Sequence, residues 1–338
     1  MRFYVNSVLF LTWIALFELG VRWSELFYCL ILLVQFFFLD KLKRFRLNYF
    51  ITVVLIYASL STLFTPSFFV TKFLLIYSVL FLTTLDLGDL KMKSIRLVNF
   101  LVFLSFFVTC LNKPIEFNVA WSSFLTSDFS SFENNSHPFL FLFFGLFFLI
   151  KGEFWMWALN FLLVVLSFKR IVVVTFIVSI PIIYYRIYLT NFFKWSMRFL
   201  PFMFLSIPFV LTSTYIEDVV YESTGLYLSH ITQGRSSFYD GIISEFYSWR
   251  IFLIGHGSGV VTEWSINTFD YLIHNDFLKI FLEFGIIGFI LLFSLLRRSL
   301  HPVFYFALLL LFLTDNVFIY IYIFYFIFNL NLIIGKEV

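Results

Sequence analysis

The sequence predicts an all-α polytopic membrane protein of about twelve transmembrane helices with one large loop on the outer face. Composition is the first observation behind this. The 338 residues are 61% hydrophobic and 24% aromatic but only 13% charged, and the mean hydropathy is +0.96. Soluble chains run near 45–50% apolar and about 25% charged. The second observation is that the apolar residues fall into runs approaching the roughly 20 residues needed to cross a hydrocarbon core. The third is that Lys and Arg recur between those runs in the alternation that cytoplasmic retention of positive charge demands. Together these exclude a compact soluble enzyme, a nucleic-acid binder and a disordered chain. A formal charge of +3 is too small to point to a polyanion, so the placement of the charges carries more information than their sum.

The runs lie near 4–21, 24–39, 49–64, 68–87, 96–111, 137–150, 154–168, 171–189, 198–213, 274–296, 302–314 and 317–334. The first starts at Met1-Arg2 and has no small-residue cleavage site before Trp23, so it reads as a retained helix. With the N-terminus inside, the cytoplasmic segments hold Arg2; Lys41, Lys43, Arg44 and Arg46; Lys91, Lys93 and Arg96; Lys151; Arg186, Lys194 and Arg198; Arg297 and Arg298; and Lys336. That is 15 of the 23 basic residues, and the alternation returns the C-terminus to the inside. Cys29 and Cys110 sit in separate apolar runs and read as small buried hydrophobes.

Residues 1–338 form a single membrane domain, with no internal repeat and no Gly/Ser- or Pro-rich linker. The outer segment 112–136 is polar, and its Asn134-Asn135-Ser136 tract reads as a solvated connector. The outer segment 214–273 is the large loop. It holds seven acidic residues, Glu217, Asp218, Glu222, Asp240, Glu245, Glu263 and Asp270, against two basic ones, Arg235 and Arg250. Lys169-Arg170 is a basic pair that the alternation places on the outer side, against the insertion rule, and charges at membrane depth mark function by default.

The block from Gly234 to Gly288 carries most of the chemistry. Between Phe238 and Tyr247 apolar residues recur at helical spacing, with Ser236 or Ser237 able to cap the start. Arg235 then stands just before a helix N-terminus, where backbone N–H groups and the dipole favour anions, and a guanidinium can engage phosphate oxygens bidentately. A pyrophosphate grip and a plain carboxylate pairing are both open for it. Gly255-His256-Gly257-Ser258-Gly259 reads as a tight turn using positive φ more than as a phosphate loop, since no P-loop Lys-Ser/Thr follows. His256 is a second polar ligand candidate in that turn. His274-Asn275-Asp276 opens the next span, with Asn275, Lys279 and Glu283 spaced along one helix ridge. His274 at its outer end either takes a proton from an acceptor hydroxyl or caps the helix. Lys279 and Glu283 read as an ion pair within the membrane, and Gly285 and Gly288 as close-packing positions. Tyr215, Tyr221, Tyr227, Tyr239, Tyr247, Trp249, Trp264 and Tyr271 either stack on sugar rings or form an interfacial belt. No close Asp pair, Cys/His zinc cluster or Walker motif is present, so no metal and no cofactor are expected. A transferase on this face would use a donor activated by a lipid pyrophosphate, with Arg side chains neutralising the leaving group.

Gly234-Arg235, the 255–259 turn and His274-Asn275 with Leu278, Glu283, Gly285 and Gly288 resemble the C-terminal signature of O-antigen polymerases (Wzy) and O-antigen ligases. Ser167-Phe168-Lys169-Arg170 resembles that family's membrane arginine following a serine, here with Lys169 inserted. The resemblance implies a GT-C-like polytopic glycosyltransferase of the bacterial inner membrane, with both termini cytoplasmic and the large loop periplasmic. It implies metal-independent, inverting transfer from an undecaprenyl-pyrophosphate-linked oligosaccharide. Arg170 and Arg235 would bind the pyrophosphate, and His274 would be the general base. Arg250, in the same loop, matches no family position, and it stands with His256 and Asn275 as a further substrate-contact candidate. Partners would be membrane lipid and a chain-length regulator protein, with no nucleic acid. A ligase acting on lipid A-core, or a lipid-linked glycan flippase, are the alternatives.

Overall fold

The computed structural model describes residues 2–18, 26–39, 48–64, 67–84, 91–112, 137–167, 169–232, 234–246, 249–269, 273–314 and 317–335. The connector 113–136, the basic cluster 41–46, Tyr247, Asp270, Tyr271 and Lys336 lie outside them. All regular structure among the described residues is helical. Each of the twelve apolar runs holds one helix: α1 (Arg2–Glu18), α2 (Leu26–Leu39), α3 (Tyr49–Phe64), α4 (Phe68–Thr84), α5 (Met92–Asn112), α6 (His137–Ile150), α7 (Phe154–Leu166), α8 (Arg170–Tyr184), α9 (Asn191–Leu211), α15 (Asp276–Ser299), α16 (Pro302–Thr314) and α17 (Ile321–Gly335). Between α9 and α15 the large loop folds into α10 (Thr214–Thr224), α11 (Leu228–Ile231), α12 (Arg235–Phe246), α13 (Trp249–Ile254) and α14 (Val260–Phe269).

Among the described residues, two helices are long and apolar enough to cross a membrane alone, α5 over Met92–Leu111 and α15. A third span results if α9 and α10, bent by 71° at Thr212–Ser213, count as one. The remaining apolar helices are shorter. At 1.5 Å per residue the 14 residues of α6 rise only about 21 Å, less than the ~30 Å hydrocarbon core. Gly152, at φ 72°, and Glu153 turn the chain straight into α7.

The burial pattern says which helices are central. From His137 to Phe148 every residue of α6 is buried, and so is every residue of α17 from Tyr322 to Leu330. A helix apolar on all sides must be surrounded by other helices or by lipid, and here protein surrounds it. Phe144 packs on Phe326 of α17 and Phe143 on Phe304 of α16, with ring centroids 5.7 and 5.8 Å apart. The peripheral helices instead present large apolar side chains outward, among them Leu63, Phe64, Trp155 and Phe192. So much exposed apolar surface suits a hydrocarbon surround.

Cross-helix contacts gather the starts of α1, α5 and α7 with the ends of α6 and α17. The Tyr4 hydroxyl meets Ser94 Oγ at 2.7 Å, Arg96 grips Glu153 with two bonds of 2.9 and 2.5 Å, and Lys151 Nζ donates to the Ile333 carbonyl. These residues all come from the ends that the charge alternation places inside. At the opposite end the Ser258 N–H donates to Ser61 Oγ, and Asn275 Nδ2 donates to the Leu313 carbonyl.

Candidate functional site

The end of the bundle that carries the 214–273 loop is organised by a break in α15. Gly285 has φ 67° and ψ 179°, which divides the helix into a first half from Asp276 and a second half running to Ser299. The break frees carbonyls that a continuous helix would use, and two of them find donors in the glycine-rich turn. Leu282 C=O accepts from the His256 N–H at 3.0 Å, and Glu283 C=O accepts from the Gly257 N–H at 2.9 Å. The Tyr57 hydroxyl of α3 lies between the carbonyls of Glu283 and Ile254. The glycine-rich turn is therefore a plug for a broken helix. Its glycines do adopt positive φ, 73° at Gly255, 106° at Gly257 and 87° at Gly259. The N–H groups of His256 and Gly257 point at helix carbonyls, where a phosphate loop would leave them facing a ligand.

Asn275 caps the first half. Its backbone is extended, its Oδ1 accepts from the Leu278 N–H at 2.9 Å, and it is 1% exposed. It does not lie on the helical ridge with Lys279 and Glu283, because a cap residue is outside the helix. The expected ion pair between those two is not made at contact distance among the described residues. Glu283 Oε1 instead accepts from Thr262 N at 3.2 Å and Thr262 Oγ1 at 2.9 Å. A membrane-helix carboxylate thus caps loop helix α14 from outside.

α12 starts earlier than its periodicity indicates. Arg235 is its first residue, and the cap is Thr232, whose Oγ1 accepts from the Ser236 N–H at 3.2 Å, in place of Ser236 or Ser237. Arg235 is consequently inside the first turn, exposed, beside the freed N–H groups. One turn on, Tyr239 is 3% exposed and lies close to the Asn275 side chain. Burial pushes the Tyr239 hydroxyl pKa up, opposed by the Arg235 charge and by the Asn275 side chain. Tyr239 therefore joins Arg235 to the α15 cap. It was one aromatic among many in the sequence, and only its i+4 spacing from Arg235 singled it out. His274 follows as an exposed residue just before the cap.

Arg170 opens α8, half-buried, with Lys169 as the preceding cap residue. Lys169 is 8% exposed, and its Nζ sits 4.4 Å over the Phe139 ring. That cation–π contact is one favourable interaction for the buried Lys169 ammonium. α8 packs against α16, and Tyr188, just beyond α8, stacks near His301 at the start of α16, 5.0 Å between rings. The two helices are therefore antiparallel, so Arg170 lies at the end of α16 that holds Leu313, the partner of Asn275.

The structure thus brings Arg235, Tyr239 and Asn275 into direct reach, puts His274 beside them, and places Arg170 at the same end of the bundle. His256 is used differently: its Nε2 donates to the Phe246 carbonyl at 3.0 Å, and its ring packs edge-on against Phe246. The Arg250 side chain lies outside the described residues. No group of three or more His, Cys, Asp or Glu among the described residues could hold a metal ion. Comparison of the chain with protein-family models, with curated proteins and with solved structures finds no match.

Proposed function

We propose that this chain is a polysaccharide polymerase of the O-antigen polymerase (Wzy) type, a GT-C-like glycosyltransferase with twelve spans in a bacterial inner membrane. It would join undecaprenyl-pyrophosphate-linked repeat units at the periplasmic face. The observation that carries the reading is the gathering of Arg235, Tyr239 and Asn275 at one bundle end, beside exposed His274 and at the level of Arg170. The gathering of the starts of α1, α5 and α7 with the ends of α6 and α17 supports twelve passes with both termini cytoplasmic. Substituted-cysteine labelling checks that topology: a cysteine at exposed Tyr215 or Thr224 is expected to react only from the outer side, and one at exposed Lys93 only from the inside.

In the reaction, the acceptor hydroxyl attacks the anomeric carbon of the donor as the bond to the pyrophosphate oxygen breaks. The His274 imidazole takes the hydroxyl proton, and the leaving pyrophosphate carries away the electron pair. Arg235 and Arg170 neutralise its growing charge, the form of catalysis in which preorganised donors act where charge develops. No metal is required for that step.

His274→Ala is expected to lower polymer formation by roughly 100-fold or more, the usual range for loss of a general base. Arg235→Ala is expected to lower it by about 100- to 1000-fold, with Arg235→Lys still impaired because a point charge cannot reproduce a bidentate grip. Lipopolysaccharide or capsule gels read the outcome. Normal chains from His274→Ala would remove the general-base role. In a deletion strain, core carrying one repeat unit supports the polymerase. Bare core with long glycan still on the lipid carrier supports the ligase.

One observation favours a second reading, a lipid-linked glycan flippase. α15 is broken, and Asp276, Lys279 and Glu283 are all buried along its first half. Broken helices with buried polar groups are a transporter device. Purified protein in vesicles separates the two: a flippase moves lipid-linked glycan between leaflets without lengthening it.

A further inference from the structure

We propose that Tyr221, Tyr227 and His230 form a preorganised stacking platform for the glycan portion of the substrate, ahead of Arg235. This rests on the polymerase reading and adds the place where the sugar lies. The Tyr221 and Tyr227 rings are 4.9 Å apart at an angle of 31°, and His230 meets Tyr227 edge-on at 6.0 Å. Tyr221 is 46% exposed and Tyr227 52%, and His230 is exposed as well. Three aromatic rings that touch each other yet remain open are not core.

The backbone beneath them is pinned. Gly225, at φ 71°, ends α10, with its N–H on the Tyr221 carbonyl. The Leu226 N–H goes to Thr224 Oγ1 and the His230 N–H to the Tyr227 carbonyl, while Leu228 is buried below. Thr232 Oγ1, bonded to the Leu228 carbonyl, is also the cap of α12, so the platform connects through one turn to Arg235.

Charge decides between sugar and bilayer as the occupant. From Phe199 to Gly234 there is no Lys or Arg, while Glu217, Asp218 and Glu222 are all present. Asp218 and Glu222 are exposed on α10, the helix that carries Tyr221. Surface helices that bind anionic bilayers carry Lys and Arg on the polar face, and this segment carries the opposite sign. Carboxylates accept hydrogen bonds from sugar hydroxyls, and aromatic faces take the apolar C–H faces of pyranose rings. The combination fits a neutral or amino-bearing saccharide and repels an anionic lipid surface.

The test uses the full chain in nanodiscs. The probe is the oligosaccharide released by mild acid from the polyprenyl-linked lipids of the host. Saturating aromatic protons by NMR is expected to transfer magnetisation to the sugar C–H protons. Tyr221→Ala/Tyr227→Ala is expected to weaken apparent affinity by about tenfold, the effect of losing roughly one good aromatic contact. A Tyr227→Cys variant is expected to react with a water-soluble maleimide. Absent transfer, transfer unchanged in the double variant, or a Tyr227→Cys thiol that lipid shields from the maleimide would each overturn the platform. Failure of the polymerase reading looks different: the platform still binds sugar, but Arg235→Ala makes normal polymer. If the platform alone fails, the tyrosine variants make full chains and Arg235→Ala does not.

Discussion

Gly285→Ala is expected to leave little folded protein. The backbone at Gly285, φ 67° and ψ 179°, lies in a region essentially reserved for glycine. A side chain there costs of the order of 1–3 kcal/mol before any contact is considered. Contact then adds to it, because a Cβ would land on the backbone of Leu253 and Ile254. The reciprocal holds at Gly255, where a Cβ would land on the Glu283 carbonyl and the Gly285 N–H. Backbone cannot swing aside as a side-chain end can, so the turn would have to lift away from the broken helix. That would strand the Leu282 and Glu283 carbonyls now bonded to His256 and Gly257. A loss of several kcal/mol, about what a domain possesses in total, follows. Two controls set the scale. Gly152 also has positive φ, 72°, but open space around it, so Gly152→Ala carries only the conformational term of about 1–2 kcal/mol. Gly288 has ordinary φ and would meet the Phe284 side chain, an overpacking cost of about 1–3 kcal/mol. Detergent-solubilised yield and midpoint of thermal unfolding should rank Gly285→Ala and Gly255→Ala lowest, then Gly288→Ala, then Gly152→Ala. Equal stability for Gly285→Ala and Gly152→Ala would mean the two glycines do not meet.

The same residues show what was legible beforehand. The helices were, because a run such as Phe139–Phe148 is apolar throughout. α12 was visible in its 3.6-residue spacing, and the turn in its three glycines. The break in α15 was not. Gly285 sits in an apolar run, where it reads as a packing position, and what distinguishes it is the chain opposite, Leu253 to Gly255, 30 residues earlier. Long-range pairing of that kind leaves no local trace. The Lys169 contact with Phe139 is equally invisible, since any of 54 Phe could have supplied the ring. At the site, Arg235, Asn275 and Arg170 stood out because charge and polarity are scarce here. Tyr239 did not, in a chain with 18 Tyr, although it is the residue that joins two of them.

Glu283 yields the second large effect. Its carboxylate is fully buried and receives the Thr262 N–H and the Thr262 hydroxyl, with the charge of Lys279 nearby. Glu283→Ala would leave those donors without an acceptor and Lys279, itself 2% exposed, without its compensating charge. Each stranded buried donor costs roughly 1–3 kcal/mol, and Lys279 loses the nearby charge that acts on it without direct contact. Glu283→Gln keeps an oxygen for Thr262 and loses only the charge, so it should fall between Ala and wild type. Thr262→Val removes the hydroxyl but leaves the backbone donor in place, and should be milder still. Lys279→Met in the Glu283→Gln background should then recover part of the loss, since no buried cation remains to be compensated. That non-additivity is the measurement a double-mutant cycle makes on unfolding midpoints. The structural consequence is specific as well. Glu283 caps α14 from the membrane helix, so Glu283→Ala should speed proteolysis between Gly255 and Phe269 more than elsewhere in the loop. If Lys279→Met instead adds to the loss, the two charges do not serve one another and the capping of α14 stands alone. If Glu283→Ala is no worse than Glu283→Gln, the oxygen held by Thr262 contributes nothing, and the coupling of the outer loop to the broken helix has to lie in the glycine contact.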